Sequence, residues 1–191
     1  MNNDRRNSKE YIAKAAQSEF AEHGFSGART DRIARSAGVN KQLIYYYYGS
    51  KSKLYVAMAR LAAQDLSLQN QPASSQGSVT EKLRTHLKFL FDRLRARPDF
   101  ASILIGGTRE DAKETAEQWG RETVNVIAST ISEGQGLGFF RDDADPQLAA
   151  RQAVTLILGY YALGPIMDKD GESAPIWLDG AAELLLGSLV W

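Results

Sequence analysis

The chain has 191 residues, 43% hydrophobic and 24% charged, and its 23 Lys and Arg balance 23 Asp and Glu; such values are ordinary for a globular protein of one large or two small domains. It has no cysteine, which excludes disulfides, thiolate metal sites and thiol nucleophiles, and its two histidines are too far apart in sequence to favour a histidine-rich metal centre. The neutral total hides an asymmetry, because residues 1–53 carry 10 Lys and Arg against 5 Asp and Glu, whereas the remainder carries 13 against 18. This split suggests that the N-terminal part meets a polyanion, although such a basic excess is more often a solvated face.

Hydrophobic spacing predicts helices along nearly the whole chain, with no alternation typical of strands. In chain order, the predicted helices span residues 8–23, 30–37, 41–48, 50–68, 79–97, 100–111, 113–133, 147–163 and 175–190. Ser8, Asn40 and Asp145 are the expected N-caps, and Pro146 suits the first helical position because it lacks an N–H. Gly24 follows the first helix as a C′ glycine, with His23 in its last turn. We expect His86 to be partly exposed on its helix.

The spacing of residues 30–48 is typical of a helix-turn-helix. Ala34, Gly38 and Ile44 stand four and then six residues apart. A small residue lets two helices cross closely, glycine adopts the left-handed backbone of the turn, and the later aliphatic side chain locks the second helix onto the first. These three positions alone are a weak signal, since Ala and Gly are common. The rest of the predicted internal face consists of Ile33, Ala37, Val39 and Tyr48.

The second of these helices contains four consecutive tyrosines, residues 45–48. On a 3.6-residue period Ile44 and Tyr48 share the inner side, and Tyr47 lies at its margin. Ammonium, amide and phenol groups on the outer side are of the kind that contact base edges and phosphate oxygens in the major groove. An ordinary solvated surface is the alternative interpretation. The predicted outer cluster consists of Lys41, Gln42, Tyr45 and Tyr46.

The segment "IAKAAQSEFAEHGF…IARSAGVNKQLIYYYYGSKSKLY" resembles the N-terminal DNA-binding region of the TetR family of transcriptional regulators, over roughly residues 8–55. The residues that carry the resemblance are Ile12, Ala16, Phe20, Gly24, Phe25, Ile33, Ala34, Ala37, Gly38, Val39, Lys41, Tyr45, Tyr47 and Lys51. It implies an all-α homodimer. A three-helix helix-turn-helix domain, residues 1–53, would bind double-stranded DNA at a palindromic operator. A helical domain, residues 54–191, would dimerise and bind a small effector that lowers DNA affinity, with helix 50–68 connecting the two.

The resemblance also implies roles for individual positions. Asn40 stands where a serine commonly caps the recognition helix, and Leu43 stands where a side chain can touch a thymine methyl. For Tyr47, phosphate contact and packing stay open as alternatives. Tyr48 replaces a usual phenylalanine, so its hydroxyl needs a partner or a route to solvent, and Arg29-Thr30 replaces a Ser/Thr pair, which leaves the cap of the second helix open. The full predicted DNA-contacting set is Arg29, Thr30, Asn40, Lys41, Gln42, Leu43, Tyr45, Tyr46, Tyr47 and Lys51.

The C-terminal part, residues 79–191, has no motif of comparable specificity, and the polar segment 69–78 before it is the best linker candidate. In a TetR-like arrangement the last two helices pair with their twins in a four-helix bundle. The segment "IWLDGAAELLLGSLVW" supports this pairing because it is apolar on more than one face; burial in a single-domain core is the alternative. An effector pocket would lie among the helices between 79 and 133 and helix 146–163. Its aromatic candidates, each also explained as core, are Phe89, Phe100, Trp119 and Tyr160.

The predicted function is transcriptional repression relieved by an effector, without a cofactor or metal. Two other classes stay open: a helical protein-interaction module that uses the tyrosine-rich face, and an enzyme with an unrecognised site. The sequence contains no metal-ligand cluster, nucleophile elbow, phosphate-binding glycine loop or dinucleotide fingerprint, so we expect no enzyme. The N-terminus lacks the apolar stretch of a signal peptide, and the longest apolar run, 153–167, is too short and interrupted to span a bilayer. We therefore expect a cytoplasmic protein with no membrane contact.

Overall fold

The computed structural model describes residues 2–71, 77–106, 110–167 and 174–190. Over these ranges the chain forms helices and no strand, so the predicted all-α class is confirmed. The helices are α1 (Asn2–Gly27), α2 (Thr30–Ser36), α3 (Lys41–Tyr48), α4 (Lys51–Asp65), α5 (Val79–Ala96), α6 (Pro98–Gly106), α7 (Glu110–Gly136), α8 (Pro146–Met167) and α9 (Ala174–Leu189), with a 3₁₀ turn at Leu68–Asn70. None of the helices in the described part of the chain has a stretch long and apolar enough to cross a membrane.

Helix α1 begins earlier than predicted, and the predicted C′ glycine interrupts it near its end. It begins at Asn2, so the prediction that Ser8 is its N-cap is wrong. Adding residues to an existing helix gains a backbone hydrogen bond for each one, whereas a capping side chain only favours a start and does not impose it. Gly24 takes a left-handed φ of 63°, as expected of a glycine that ends a helix, but the chain continues in helical form past this kink to Gly27.

One compact unit comprises residues up to 65 together with 97–118. Its core contains Ile12, Ile33 and Ile44, one from each of the first three helices, all fully buried. Burial of each such side chain stabilises the fold by about 1.5–3 kcal/mol. Helix α4 contributes Tyr55, whose ring meets the Phe20 ring edge-on at 4.9 Å. These contacts hold α1 and α4 together, and the two helices form the frame on which α2 and α3 are placed.

The second compact unit comprises residues 66–96 and 119–191. Helix α4 packs into the core of the first unit. The functional division at residue 53 stays a prediction. Of the predicted linker 69–78, the first two residues belong to the 3₁₀ turn, and 72–76 lie outside the described residues.

Helix α8 begins as its sequence predicts. Asp145 Oδ1 accepts hydrogen bonds from the Gln147 and Leu148 N–H groups at 2.8 and 3.3 Å, and Pro146 is the first helical residue. The predicted cap is therefore confirmed. The helix runs on to Met167 instead of ending at 163.

The prediction that His86 is partly exposed is wrong, because its side chain is buried on the apolar face of α5. His86 follows Leu83 by three residues and precedes Leu90 by four, a spacing that places it on the buried stripe. Its Nδ1 lies 2.6 Å from Gln71 Oε1 and its Nε2 3.2 Å from Thr130 Oγ1. Burial, and then the nearby Lys82 charge, lower the pKa of His86, which favours the neutral imidazole in this hydrogen-bonded setting.

Candidate nucleic-acid interface

The turn between α2 and α3 has the geometry that its spacing predicts. Gly38 adopts a φ of 65°, and the Val39 N–H donates to the Ala34 carbonyl at 3.0 Å, which closes the chain reversal. Ala34 is 5% exposed and Ile44 is fully buried. A residue with a side chain at position 38 would be strained in this left-handed backbone. The small residue, the glycine and the aliphatic side chain thus have the structural roles assigned to them.

Helix α3 is defined by residues at its two ends. The Asn40 Oδ1 accepts a hydrogen bond from the Gln42 N–H at 2.9 Å, which confirms the predicted N-cap. Gly49 ends the helix with a φ of 78°, and its N–H donates to the Tyr45 carbonyl at 2.8 Å. The helix therefore spans the eight residues Lys41–Tyr48 that the sequence predicts.

The four tyrosines of α3 divide between its two faces. Tyr46 is 74% exposed and Tyr45 is 42% exposed, whereas Tyr47 and Tyr48 are partly buried against the core of the first unit. The Tyr46 and Tyr47 rings meet edge-on at 5.3 Å. Burial raises the pKa of Tyr48, so its phenol stays protonated at neutral pH. The outer face of α3 consequently presents phenol and amide groups, since Gln42 is also exposed.

Two side-chain bridges join the start of α2 to one flank of α3. The Thr30 and Tyr45 hydroxyl oxygens lie 3.3 Å apart, and Lys41 Nζ lies 2.7 Å from Asp31 Oδ1. Thr30 and Asp31 are consecutive, whereas Lys41 and Tyr45 are one helical turn apart and so share a flank. The first bridge connects two predicted DNA-contacting residues, and the second joins a third, Lys41, to Asp31, which is not among the predicted contacts.

Glu19 is a structurally important residue that the sequence interpretation missed. Its Oε1 accepts hydrogen bonds from the Arg29 N–H at 2.8 Å and from Arg32 Nε at 2.7 Å. Arg32 also donates to the Gly27 carbonyl at 2.8 Å. Burial alone would raise the pKa of Glu19, but these hydrogen bonds and the guanidinium charge hold it below its ordinary value. Residue 29, whose side chain makes no cap hydrogen bond, is thus held by a carboxylate from α1.

The remaining predicted contact residues lie in the same compact unit. Arg29 is exposed, and Leu43 is partly buried against the core. Lys51, the first residue of α4, places its ammonium 4.8 Å from the centre of the Phe25 ring. The ten predicted positions therefore lie on α2, α3 and the residues beside them, and their contact with DNA stays a prediction.

The four aromatic candidates for an effector pocket lie in different surroundings. Phe100 is 2% exposed in the first compact unit, with the Arg97 guanidinium 3.9 Å from its ring centre. In the second unit Arg93 lies 5.2 Å from the Phe89 ring, and Trp119 is 6% exposed. Tyr160 belongs to an aromatic cluster with Phe91, Tyr161 and Trp177, in which ring centres lie 4.6–5.7 Å apart. Within the described ranges, no three His, Asp or Glu side chains form a group able to hold a metal ion.

Residues 12–58 match the family profile described as bacterial regulatory proteins, tetR family. The HTH-type transcriptional repressor NicS of Pseudomonas putida is 30% identical over 138 residues, and the HTH-type transcriptional repressor SCO4008 of Streptomyces coelicolor is 42% identical over 138 residues. Each alignment covers 69% of this chain, and they cover 65% and 66% of those two relatives, slightly less than two thirds of their lengths.

The fold is also similar to that of solved regulators. The transcriptional regulator FadR of Bacillus subtilis, determined in complex with stearoyl-CoA, superposes with a TM-score of 0.79 over 95% of this chain and 99% of FadR. At 18% identity this likeness concerns the fold alone. The sequence match covers the helices that carry the candidate interface, and the structural match covers nearly the whole chain. The N-terminal region of the chain, residues 12–58, therefore matches the TetR family of bacterial regulatory proteins, and the chain as a whole has the fold of the solved regulator FadR.

Proposed function

We propose that this protein is a dimeric transcriptional regulator that binds operator DNA through α3, represses transcription, and leaves the operator when a small effector binds. The observation that carries the proposal is the outer face of α3, where Gln42 and Tyr46 are exposed on a helix whose inner residue Ile44 is fully buried. The names of NicS and SCO4008 support repression as the direction of control. Such a protein would act in the cytoplasm, where bacterial DNA lies.

In this proposal α3 enters the major groove, which admits one helix. The exposed amide of Gln42 has the donor and acceptor needed to read a base edge. Tyr46, with Lys41 and Tyr45 on the flank, offers hydroxyl and ammonium donors to phosphate oxygens. The excess of 10 Lys and Arg over 5 Asp and Glu in residues 1–53 would attract the polyanion over a longer range.

The proposed dimer would use the exposed apolar side chains of α8 and α9. On α8 these are Leu148, Leu156 and Leu163, between 44% and 53% exposed, and on α9 they are Ile176 and Leu184, 77% and 75% exposed. In a monomer, the exposure of so many large apolar groups to water on two neighbouring helices is unfavourable. A symmetric dimer would bury them and set the distance between two recognition helices, which must enter successive major grooves about 34–36 Å apart.

For the effector, we propose a small molecule that binds the second unit. The ligand would bind more tightly to a form of the dimer in which the two recognition helices are not spaced for successive major grooves. It would weaken the free energy of DNA binding by up to the difference between its own binding free energies for the two forms. Phe89, Trp119 and Tyr160, all in the second unit, are the candidate aromatic contacts.

The test measures binding of the purified protein to the DNA upstream of its own coding sequence, by fluorescence anisotropy at several salt concentrations. We expect Tyr46→Ala to weaken binding several-fold without a loss of stability, because this side chain is 74% exposed. Lys41→Ala should weaken binding and reduce the salt slope by about one, the value for one lost phosphate contact. Lys88→Ala is the matched control, since Lys88 is also an exposed lysine paired with a carboxylate, Asp92.

Two results would contradict the proposal. Binding that is insensitive to salt would favour the protein-interaction module, because neutralisation of phosphates makes DNA binding strongly salt-dependent. Salt-sensitive binding that neither Tyr46→Ala nor Lys41→Ala weakens relative to Lys88→Ala would show that α3 is not the recognition helix.

A further inference from the structure

The ion pair between Asp31 and Lys41 lies on the surface that we propose faces DNA. The pair joins the first turn of α2 to the first residue of α3. Asp31 Oδ1 lies 2.7 Å from Lys41 Nζ, and the two side chains are 64% and 43% exposed. Both groups are thus open to solvent, and the ammonium that is expected to meet a phosphate already has an anionic partner.

Asp31 is an acidic residue in a basic setting. The hydrogen bond from Lys41 is the main cause that holds the pKa of Asp31 below its usual value, and the charges of Arg35 and Arg29 act in the same direction. The hydrogen bond to Asp31 likewise raises the pKa of Lys41. Both groups are therefore charged at neutral pH, and a phosphate that approaches Lys41 also approaches the carboxylate of Asp31.

We propose that Asp31 competes with DNA phosphate for Lys41 and so limits the affinity of the protein for its operator. This inference rests on the proposed function. Lys41 must leave Asp31, or be shared with it, before its charge can neutralise a phosphate, and the carboxylate repels the DNA backbone. Because exposed ion pairs are weak and screened by salt, the competition limits binding without preventing it.

The rest of α3 allows Lys41 to move without loss of the helix. The Asn40 cap does not involve the Lys41 side chain, and one turn further along Tyr45 stays linked to Thr30. Exchange of Lys41 between Asp31 and a phosphate therefore leaves the position of α3 fixed. Asp31 thus limits DNA binding mainly through Lys41 and is not itself a proposed DNA contact.

The test compares the DNA affinity of Asp31→Asn with that of the unsubstituted protein and of Asp143→Asn, on the upstream DNA and over a range of salt. Asp143 is the matched control because it is also an exposed carboxylate, 58% accessible, paired with a basic side chain, Arg141. Both variants change the net charge equally. We expect Asp31→Asn to bind about two- to fivefold more tightly at low salt, the range for release of one exposed ion pair. Asp143→Asn should bind unchanged.

A Lys41→Ala background separates competition from a simple change of charge. Most of the gain from Asp31→Asn should vanish there, because the ammonium that it releases is absent. Unchanged or weaker binding of Asp31→Asn, or an equal gain with and without Lys41, would overturn the inference. If the unsubstituted protein fails to bind DNA in a salt-dependent way, the proposed function fails and takes the inference with it, which is a distinct result. Thermal melts of each variant exclude loss of folding as the cause.

Discussion

Alanine in place of Gly134 would put a methyl group where the ring of Phe140 now lies. A Cβ on Gly134 would be 2.1 Å from Phe140 Cδ2 and 2.4 Å from Cε2, whereas non-bonded carbon atoms pack at about 3.5–4.0 Å. Gly134 is buried in the last turns of α7, and Phe140 is 2% exposed. The ring would have to move by more than an ångström or leave the core.

The backbone prevents an easy retreat of the ring. The Phe139 and Phe140 N–H groups both donate to the Gly134 carbonyl, at 2.9 and 3.2 Å, so the turn that carries the ring is tied to the glycine itself. The next residue, Arg141, donates its N–H to the Leu189 carbonyl of α9 at 2.7 Å. The ring therefore sits in a turn that is anchored on both sides.

The expected loss follows from these contacts. Displacement of a buried phenylalanine costs about 3–5 kcal/mol, and alanine regains about 1 kcal/mol relative to glycine inside a helix. We therefore expect Gly134→Ala to lower the free energy of unfolding of the second unit by about 2–4 kcal/mol. Gly120→Ala is the matched control on the same helix, because a Cβ there would meet nothing within 4 Å, and it should stabilise by up to about 1 kcal/mol.

Urea unfolding followed by tryptophan fluorescence is a suitable assay, because Trp119 and Trp177 both lie in the second unit. The decisive comparison repeats Gly134→Ala in a Phe140→Ala background, where the methyl has free space and should become neutral or stabilising. An equal loss in both backgrounds would refute the reasoning, since the cost could not then arise from the ring. A stable Gly134→Ala single variant would refute it as well.

Two further predictions concern the proposed dimer and the start of α2. Leu184→Glu should shift the sedimentation of the protein towards the monomer. The control is Leu137→Glu, at a residue that is 62% exposed on the connection after α7, and it should leave the sedimentation unchanged. If both variants sediment as dimers, the interface lies elsewhere. The folded-state pKa of Glu19 is depressed, so its contribution to stability is complete above the ordinary pKa of 4.5 and is lost as the pH falls through the folded value. Glu19→Gln should be less stable than the unsubstituted protein in urea at pH 7 and close to it at acid pH, and a constant difference would contradict this role.

Helix α3 could be predicted from the sequence because its determinants are local. The Asn40 cap acts on a residue two positions away, and Gly38 and Ile44 act within one turn and the helix that follows it. Such short-range rules depend on backbone geometry, which is the same in every protein that uses the turn. The division of the tyrosines followed from helical periodicity alone.

Glu19 and Asp31 could not be assigned in the same way. Glu19 meets residues 10 and 13 positions along the chain, and it reaches them because α1 kinks at Gly24 before α2 begins. A sequence with 23 acidic and 23 basic side chains allows many pairings of this kind, and pairing energies at the surface are too small to select one. His86 is a different case, because its spacing from Leu83 and Leu90 did indicate burial.

In the proposed response to an effector, helix α4 connects α6 to α1. Its Tyr55 packs against Phe20 of α1 and donates a hydrogen bond to the Ile103 carbonyl of α6 at 3.1 Å. Tyr55 is 3% exposed, so a shift of α6 would break this buried hydrogen bond or would move α4 with it. Under the proposed function, a displacement of α6 would therefore reach the frame that carries α3 through Tyr55 of α4 and through α1, which also packs against α6.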